Sequence, residues 1–184
     1  MTTVWLVRHG QAESPPGLAI GHGDPPLSAE GQRQIARLAI RLAAQPVQRV
    51  FSSDLKRARM TAELIAANHG LEVDVCPELR EIDFGIWEGR ALGDLWTEKP
   101  DEAEAWERNL RRVPTGFGER FEALESRVAQ FRSRLDGYRV AVVVAHRGPL
   151  AVLLNQLTGI SIEEAWREQL DTGATLRVEI SRRR

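Results

Sequence analysis

Two stretches decide the fold: Val4-Trp5-Leu6-Val7-Arg8-His9-Gly10 and Val140-Ala141-Val142-Val143-Val144-Ala145-His146-Arg147-Gly148. Each opens with a nearly unbroken apolar run, the pattern of a strand buried on both faces. Each then delivers a histidine, an arginine and a glycine at its carboxyl end.

Helical patterns fill the chain around these strands. Over 28–44, Ile35, Leu38, Ala39 and Leu42 share one face, behind an N-cap at Ser28 and with Glu30 in the first turn. A second strand is expected over 49–52. Ser53 and Asp54 are expected to cap a helix whose inner face is Ala58, Ala62, Ile65 and Ala66, with Gly70 at its C′ position. Alternation over 72–76 predicts a third strand. A seam of Phe121, Leu124, Val128, Phe131 and Leu135 predicts a helix over 118–136. Pro149 suits the first position of a helix with Leu150, Leu153, Leu154 and Leu157 on its core face. Ser161-Ile162-Glu163-Glu164 is a capping-box pattern, and 175–180 alternates like an edge strand. The tail 182–184 reads as a solvated end. Segment 11–27, rich in Gly and Pro, reads as a loop, and 78–117 holds Trp87, Trp96 and Trp106 with short helices around Leu92 and Glu104. Strands alternating with helices give an α/β class: a three-layer sandwich, its mostly parallel central sheet flanked by helices.

With 184 residues, one domain spanning 1–184 is expected. Hydrophobic residues at 42% and charged residues at 28% are ordinary globular values, which argues against global disorder. A formal net charge of −1 gives no general pull towards nucleic acid or an anionic membrane, so any anion affinity must be local. Apolar runs are too short to span a bilayer. The first residues lack a signal-peptide pattern, so a cytoplasmic location is expected. The lone Cys76 reads as a small buried hydrophobe, and no Cys/His spacing reads as a zinc site.

In parallel sheets, ligands gather at the carboxyl ends of strands. If the first and fourth strands are neighbours, His9 and His146 meet there. Arg57, in the first turn of the helix after the second strand, joins them together with Arg8. Two imidazoles and two guanidinium groups suit a phosphate dianion, whose oxygens accept from arginine forks. A neutral imidazole nitrogen can attack phosphorus. Taken singly, each feature has a plainer reading. A strand-end histidine is often structural, Arg57 alone would pass as a solvated helix residue, and Arg147 reads as exposed. His22 and His69 have no partners in sequence, and Gly21-x-Gly23 lacks the context of a dinucleotide loop.

Five ordered segments carry a resemblance. They are Leu6-Val7-Arg8-His9-Gly10-Gln11; Pro26-Leu27-Ser28-Ala29-Glu30-Gly31-Gln32; Phe51-Ser52-Ser53-Asp54-Leu55-Lys56-Arg57-Ala58-Arg59-Met60-Thr61-Ala62; Leu79-Arg80-Glu81-Ile82-Asp83-Phe84-Gly85-Ile86-Trp87-Glu88-Gly89; and Val143-Val144-Ala145-His146-Arg147-Gly148. In combination they resemble the histidine phosphatase superfamily, also called phosphoglycerate mutase-like. The resemblance implies that His9 is the nucleophile and becomes phosphohistidine, and that Arg8, Arg57, His9 and His146 hold phosphate. It also implies that Glu81 gives a proton to the leaving group and later activates water, with His146 counted in the catalytic set. No cofactor or metal is implied. The implied partner is a small phosphorylated metabolite, with the chain a monomer or homodimer and 78–117 covering the substrate.

Softer features resemble the alpha-ribazole phosphatases of cobalamin biosynthesis. These are the short length, Pro77-Glu78-Leu79-Arg80-Glu81, Val113-Pro114-Thr115 followed by Gly118-Glu119-Arg120-Phe121, and the stretch 159–171 with Trp166 and Asp171-Thr172-Gly173. A phosphoglycerate mutase or a broad small-metabolite phosphatase is the alternative, and a non-catalytic phosphate binder is disfavoured because binding needs no Glu81. Trp96, Trp106 and Phe117 are candidates for an apolar wall against an aromatic base. Ala12 and Pro15 stand where the family often has Thr or Ser and Asn.

Overall fold

The computed structural model describes residues 1–168 and 171–181; the arginine tail 182–184 lies outside the described residues, as do 169 and 170. Five strands form one sheet: β1 (Thr2–Arg8), β2 (Arg49–Ser52), β3 (Val73–Val75), β4 (Val140–Ala145) and β5 (Thr175–Ile180). Their order is β3-β2-β4-β1-β5, with β5 alone antiparallel. β1 and β4 are parallel neighbours in register from Thr3↔Val140 to Arg8↔Ala145, so the two histidine-bearing ends leave the sheet side by side.

Period-2 alternation sorts β1 and β4 between two apolar layers. Val4, Leu6, Ala141, Val143 and Ala145 face one layer, while Val7, Val142 and Val144 face the other. The second layer is roofed by α1 (Ala29–Leu42) and α2 (Lys56–Ala67), through Ile35, Leu38, Ala58 and Ile65. On the first layer lie α5 (Phe121–Arg132), α6 (Arg147–Thr158) and α7 (Ile162–Arg167). Two short helices, α3 (Leu92–Glu98) and α4 (Pro100–Arg108), sit in the excursion between β3 and α5. No helix among the described residues is long and apolar enough to cross a membrane.

Local chemistry explains most ends. The Ser28 side chain accepts from Gly31 N–H and starts α1; Ser161 and Glu164 form a reciprocal capping box that starts α7. Several expected ends move. Leu55, not Ser53 or Asp54, is the N-cap of α2. Ser53 Oγ still accepts from Leu55 N–H at 3.3 Å, but the Asp54 carboxylate is taken by Arg80. Gly70 has a left-handed φ of 62°, but it lies two residues past the C-cap Asn68. The helix expected over 118–136 is α5 followed by a 3₁₀ turn at Ser133–Gly137, the tightening common at helix ends. Pro149 is the third residue of α6 rather than the first. Its missing N–H is still one that no helix bond would use.

Gly31 shows how closely α1 is set against the end of β1. A Cβ there would lie 2.1 Å from the Gln11 carbonyl oxygen, two residues after His9. Alanine normally gains about 1 kcal/mol over glycine in a helix, but this neighbour is backbone and cannot rotate away. Gly31→Ala is therefore expected to lower stability, by about 1–3 kcal/mol as overpacking does. Urea denaturation measures it; a variant as stable as the parent would contradict this packing.

Candidate active site

His9 is 8% exposed and its tautomer follows from its neighbour. Nδ1 lies 2.7 Å from the Gly10 carbonyl oxygen. A carbonyl only accepts, so Nδ1 carries the proton and Nε2 carries the lone pair. Arg57 Nε donates to that Nε2 at 3.3 Å. The ring of His146 lies 4.9 Å from that of His9, tilted by 56°. His146 is fully buried; its Nε2 is 3.0 Å from Ser53 Oγ, and its Nδ1 has no hydrogen-bond partner among the described residues.

Arg57 is 1% exposed, and backbone carbonyls take most of its N–H groups. Nη1 donates to Gly23 O at 2.7 Å, and Nη2 donates to Gly21 O at 2.8 Å and Ile20 O at 3.2 Å. The amides of the same loop face the other way: Gly21 and Gly23 N–H both donate to the Glu88 carboxylate. The loop is thus gripped through its oxygens by a cation and through its nitrogens by an anion. This is the use of Gly21-x-Gly23. A Cβ on Gly21 would lie 2.4 Å from Ile82 O, and one on Gly23 would lie 2.7 Å from Glu88 Oε1. Sequence reading missed Glu88, because a carboxylate bonding amides more than 60 residues away leaves no periodic signal.

Glu81 is 8% exposed and fixed through one oxygen. Its Oε1 accepts from the N–H of Ile82 and of Gly148, each at 3.0 Å. Gly148 must be glycine for this contact, since a Cβ would sit 2.4 Å from Oε1. Behind Glu81, Arg127 donates to the carbonyls of Glu78, Arg80 and Glu81 while pairing with Glu119. Arg80 forks onto Asp54, and His22 Nε2 donates to Glu81 O at 3.1 Å. His22, given no partner in sequence, therefore helps to hold this segment. Arg127 also escaped sequence reading, because it lies between apolar seam residues of α5 and looks like any helix-surface arginine.

Arg8, His9, Arg57 and Glu81 line one cleft of about 340 Å³, with Arg147 and Thr172 beside them and Phe84, Leu92, Trp106 and Trp166 forming an apolar wall. The five residues singled out in sequence are thus brought together, with His146 directly behind His9 rather than on the wall. Arg147 is not merely exposed: it lines the cleft and its guanidinium lies over the Trp166 ring, 4.2 Å from the centroid. Of the expected aromatic wall, Trp106 is present. Phe117 instead packs edge-on against Phe84 and Trp106, and Trp96 lines a neighbouring chamber. Ala12 and Pro15, the two departures from the family pattern, line the cleft as apolar contacts. No cluster of three or more His, Cys, Asp or Glu side chains arranged for a metal occurs among the described residues. Cys76 is buried, as expected, and burial pushes its thiol up to about 11.

Electrostatics keep both imidazoles uncharged. Burial, then Arg57 and Arg8, push His9 down to about 3. Burial, then Arg57 and the other nearby cations, hold His146 well below the ordinary histidine value. Arg8, Arg57 and Arg147 are all lowered by burial, and Arg8 further lowers the other two. Glu81 offsets part of that cost in all three, and a bound dianion would supply these desolvated cations with a further counter-charge. Since folded His9 titrates below 6.5, the unfolded chain binds more protons as pH falls from 6.5 towards 3. The stability that this burial contributes is complete above 6.5 and is lost over that window. In the free protein, ¹⁵N imidazole shifts at pH 5 are expected to show His9 and His146 neutral, with His9 protonated at Nδ1. A His9 midpoint near 6.5 would contradict the geometry.

The profile of the histidine phosphatase superfamily, branch 1, matches residues 4–184. The chain is 35% identical to the adenosylcobalamin/alpha-ribazole phosphatase of Escherichia coli strain K12, over 98% of this chain and 91% of that protein. It is 29% identical to phosphoserine phosphatase 1 of Hydrogenobacter thermophilus, over 100% of this chain and 89% of that one. The solved alpha-ribazole phosphatase from Shigella flexneri superposes with a TM-score of 0.84 at 34% identity, over 98% and 91% of the two chains. A match that begins in β1 and runs through β5, at this level of identity, shows that the chain belongs to the histidine phosphatase superfamily and is a phosphatase.

Proposed function

We propose that this phosphatase hydrolyses alpha-ribazole 5′-phosphate to alpha-ribazole, a step of cobalamin biosynthesis, by way of a phosphohistidine on His9. The observation that carries the chemistry is the unprotonated Nε2 of His9, fixed by the Nδ1–Gly10 bond and sited among arginines in the cleft. Nε2 attacks phosphorus as the ester P–O bond breaks, and Glu81 gives its proton to the departing alkoxide. Glu81 then takes a proton from water; the hydroxide oxygen attacks phosphorus, the P–N bond breaks, and inorganic phosphate leaves. Arg8 and Arg57 neutralise the charge on the equatorial oxygens throughout. His146 donates from its unpartnered Nδ1 to the phosphoryl group carried by His9. Residues 78–117 cover the substrate, which is a small phosphorylated metabolite.

Support for the substrate comes from the relatives named for it and from the aromatic wall of Trp106, Trp166 and Phe84, which suits a flat base. The phosphoserine phosphatase likeness favours a second reading, a phosphatase of small phosphate esters, at lower identity.

Steady-state kinetics over alpha-ribazole 5′-phosphate, phosphoserine, 3-phosphoglycerate and ribose 5-phosphate separate these readings. The highest kcat/KM is expected for alpha-ribazole 5′-phosphate, unchanged by EDTA; a clear preference for phosphoserine or 3-phosphoglycerate would overturn the substrate assignment. His9→Ala is expected to lower kcat by about 10³-fold or more, and unchanged turnover would remove His9 from the mechanism. Gly148→Ala, which pushes on Glu81 Oε1, is expected to lower kcat by about 10²-fold, the scale of a lost general acid. If kcat fell no further than KM changed, Glu81 would not be the proton donor.

A further inference from the structure

Three neighbouring strands end in three side chains that touch in series. β2, β4 and β1 lie side by side in that order, and they lead into Ser53, His146 and His9. Ser53 N–H donates to Val144 O at 3.0 Å, and His9 N–H donates to Ala145 O at 3.1 Å, so the strand ladder continues one residue past β2 and β1. His146 therefore stands between a hydroxyl and an imidazole. Its Nε2 is 3.0 Å from Ser53 Oγ, and the His9 ring is 4.9 Å away. We propose that Ser53 is a positioning residue for the phosphatase reaction. Its hydroxyl holds His146 in the Nδ1–H tautomer, so the nitrogen left without a protein partner carries a proton to donate. The inference rests on the reading of His146 as a donor to the phosphoryl group and adds the residue that makes it one.

A count of hydrogen-bonding groups carries the assignment. A serine hydroxyl has one proton to give and two lone pairs to receive. Ser53 Oγ accepts from Leu55 N–H at 3.3 Å. Ser53 is fully buried, and among the described residues His146 Nε2 is the acceptor within reach of its O–H. When that O–H donates, Nε2 holds the lone pair and the proton of the neutral ring sits on Nδ1. One buried group is then unpaired, the Nδ1–H. In the reverse tautomer Nε2–H donates to Ser53 Oγ. Two buried groups are then unpaired: the Ser53 O–H and the Nδ1 lone pair. Each unpaired buried group is costly, so the first arrangement is the stable one. A doubly protonated ring is opposed by burial and by the nearby Arg57 and Arg8.

The two histidines thus share a tautomer and differ in the atom left available. His9 commits its Nδ1–H to Gly10 O, which leaves a lone pair on Nε2. His146 commits its Nε2 lone pair to Ser53, which leaves a proton on Nδ1. A phosphoryl oxygen satisfies that proton, whereas it would be repelled by a lone pair in the same place.

¹⁵N spectra of the imidazoles in the free protein at pH 7 read the tautomer. Wild-type His146 is expected to show a protonated Nδ1 and an unprotonated Nε2. In Ser53→Ala the two His146 shifts are expected to converge as both tautomers become populated. His9, held by Gly10, is expected to keep its own pattern and so to report an intact site. kcat/KM for alpha-ribazole 5′-phosphate, or for whichever ester the wild type prefers, is expected to fall about tenfold. That is less than the roughly 10²–10³-fold of a donor removed outright, because the ring can still exchange tautomers. Wild-type His146 protonated at Nε2 overturns the role of Ser53, and this spectrum needs no variant to fold. Unchanged His146 shifts in Ser53→Ala overturn it as well. Converged shifts with unchanged kcat/KM would instead remove His146 from the phosphoryl contact, and Ser53 from the reaction with it.

Discussion

Burying the guanidinium of Arg57 constrains everything around it. An unpaired charge taken from water costs about several kcal/mol, and here the side chain is 1% exposed with no carboxylate in a direct salt bridge among the described residues. Its charge is met instead by three backbone carbonyls at Ile20, Gly21 and Gly23 and by the lone pair of His9. That solution forces the loop to turn its oxygens inward. Its amides must then find an acceptor on the other side, which Glu88 supplies. The same contact requires His9 to present an unprotonated Nε2, because a protonated one would meet the Arg57 donor head-on. His9, Arg57 and the loop are thus one arrangement rather than three.

The sheet makes this arrangement possible. Parallel pairing of β1 with β4 sets His9 beside His146, and β2, on the other side of β4, leads into α2 and Arg57. The antiparallel strand β5 closes the remaining side. The turn before it donates Gly173 N–H to His9 O, and Arg8 N–H donates to Ala174 O, which seats Thr172 at the cleft. Glu81 arrives from outside the sheet on a segment without regular structure, so it needs its own supports in Arg127, His22 and the Asp54–Arg80 pair. The segment that carries Glu81 is therefore held by side chains, with the backbone amides of Ile82 and Gly148 fixing the carboxylate itself, whereas His9 is placed by the end of its strand.

That difference explains what the sequence disclosed. The apolar runs ending at Arg8 and Ala145 and the seam of α1 were readable because burial writes a period of 2 or 3.6 into the chain. His9, Arg57 and His146 followed, since they flank those elements. Glu81 was reached through family likeness alone, and Glu88, Glu119 and Arg127 were not reached at all. Each acts on backbone groups or charges distant in sequence, and no spacing rule records such a contact. Arg147 misled for a related reason. On a helix start it looks solvated, and only the position of Trp166, which is 19 residues on, turns it across the cleft.

His9 Nε2 is proposed as the atom that carries phosphate between ester and water. Rapid quenching of the protein with ³²P-labelled alpha-ribazole 5′-phosphate, followed by peptide mapping, tests it most directly. Label on residue 9, stable in base and lost in acid as an N–P bond is, is the predicted result. Turnover without any labelled protein on the quench timescale, or label that maps to a carboxylate or hydroxyl, would contradict it.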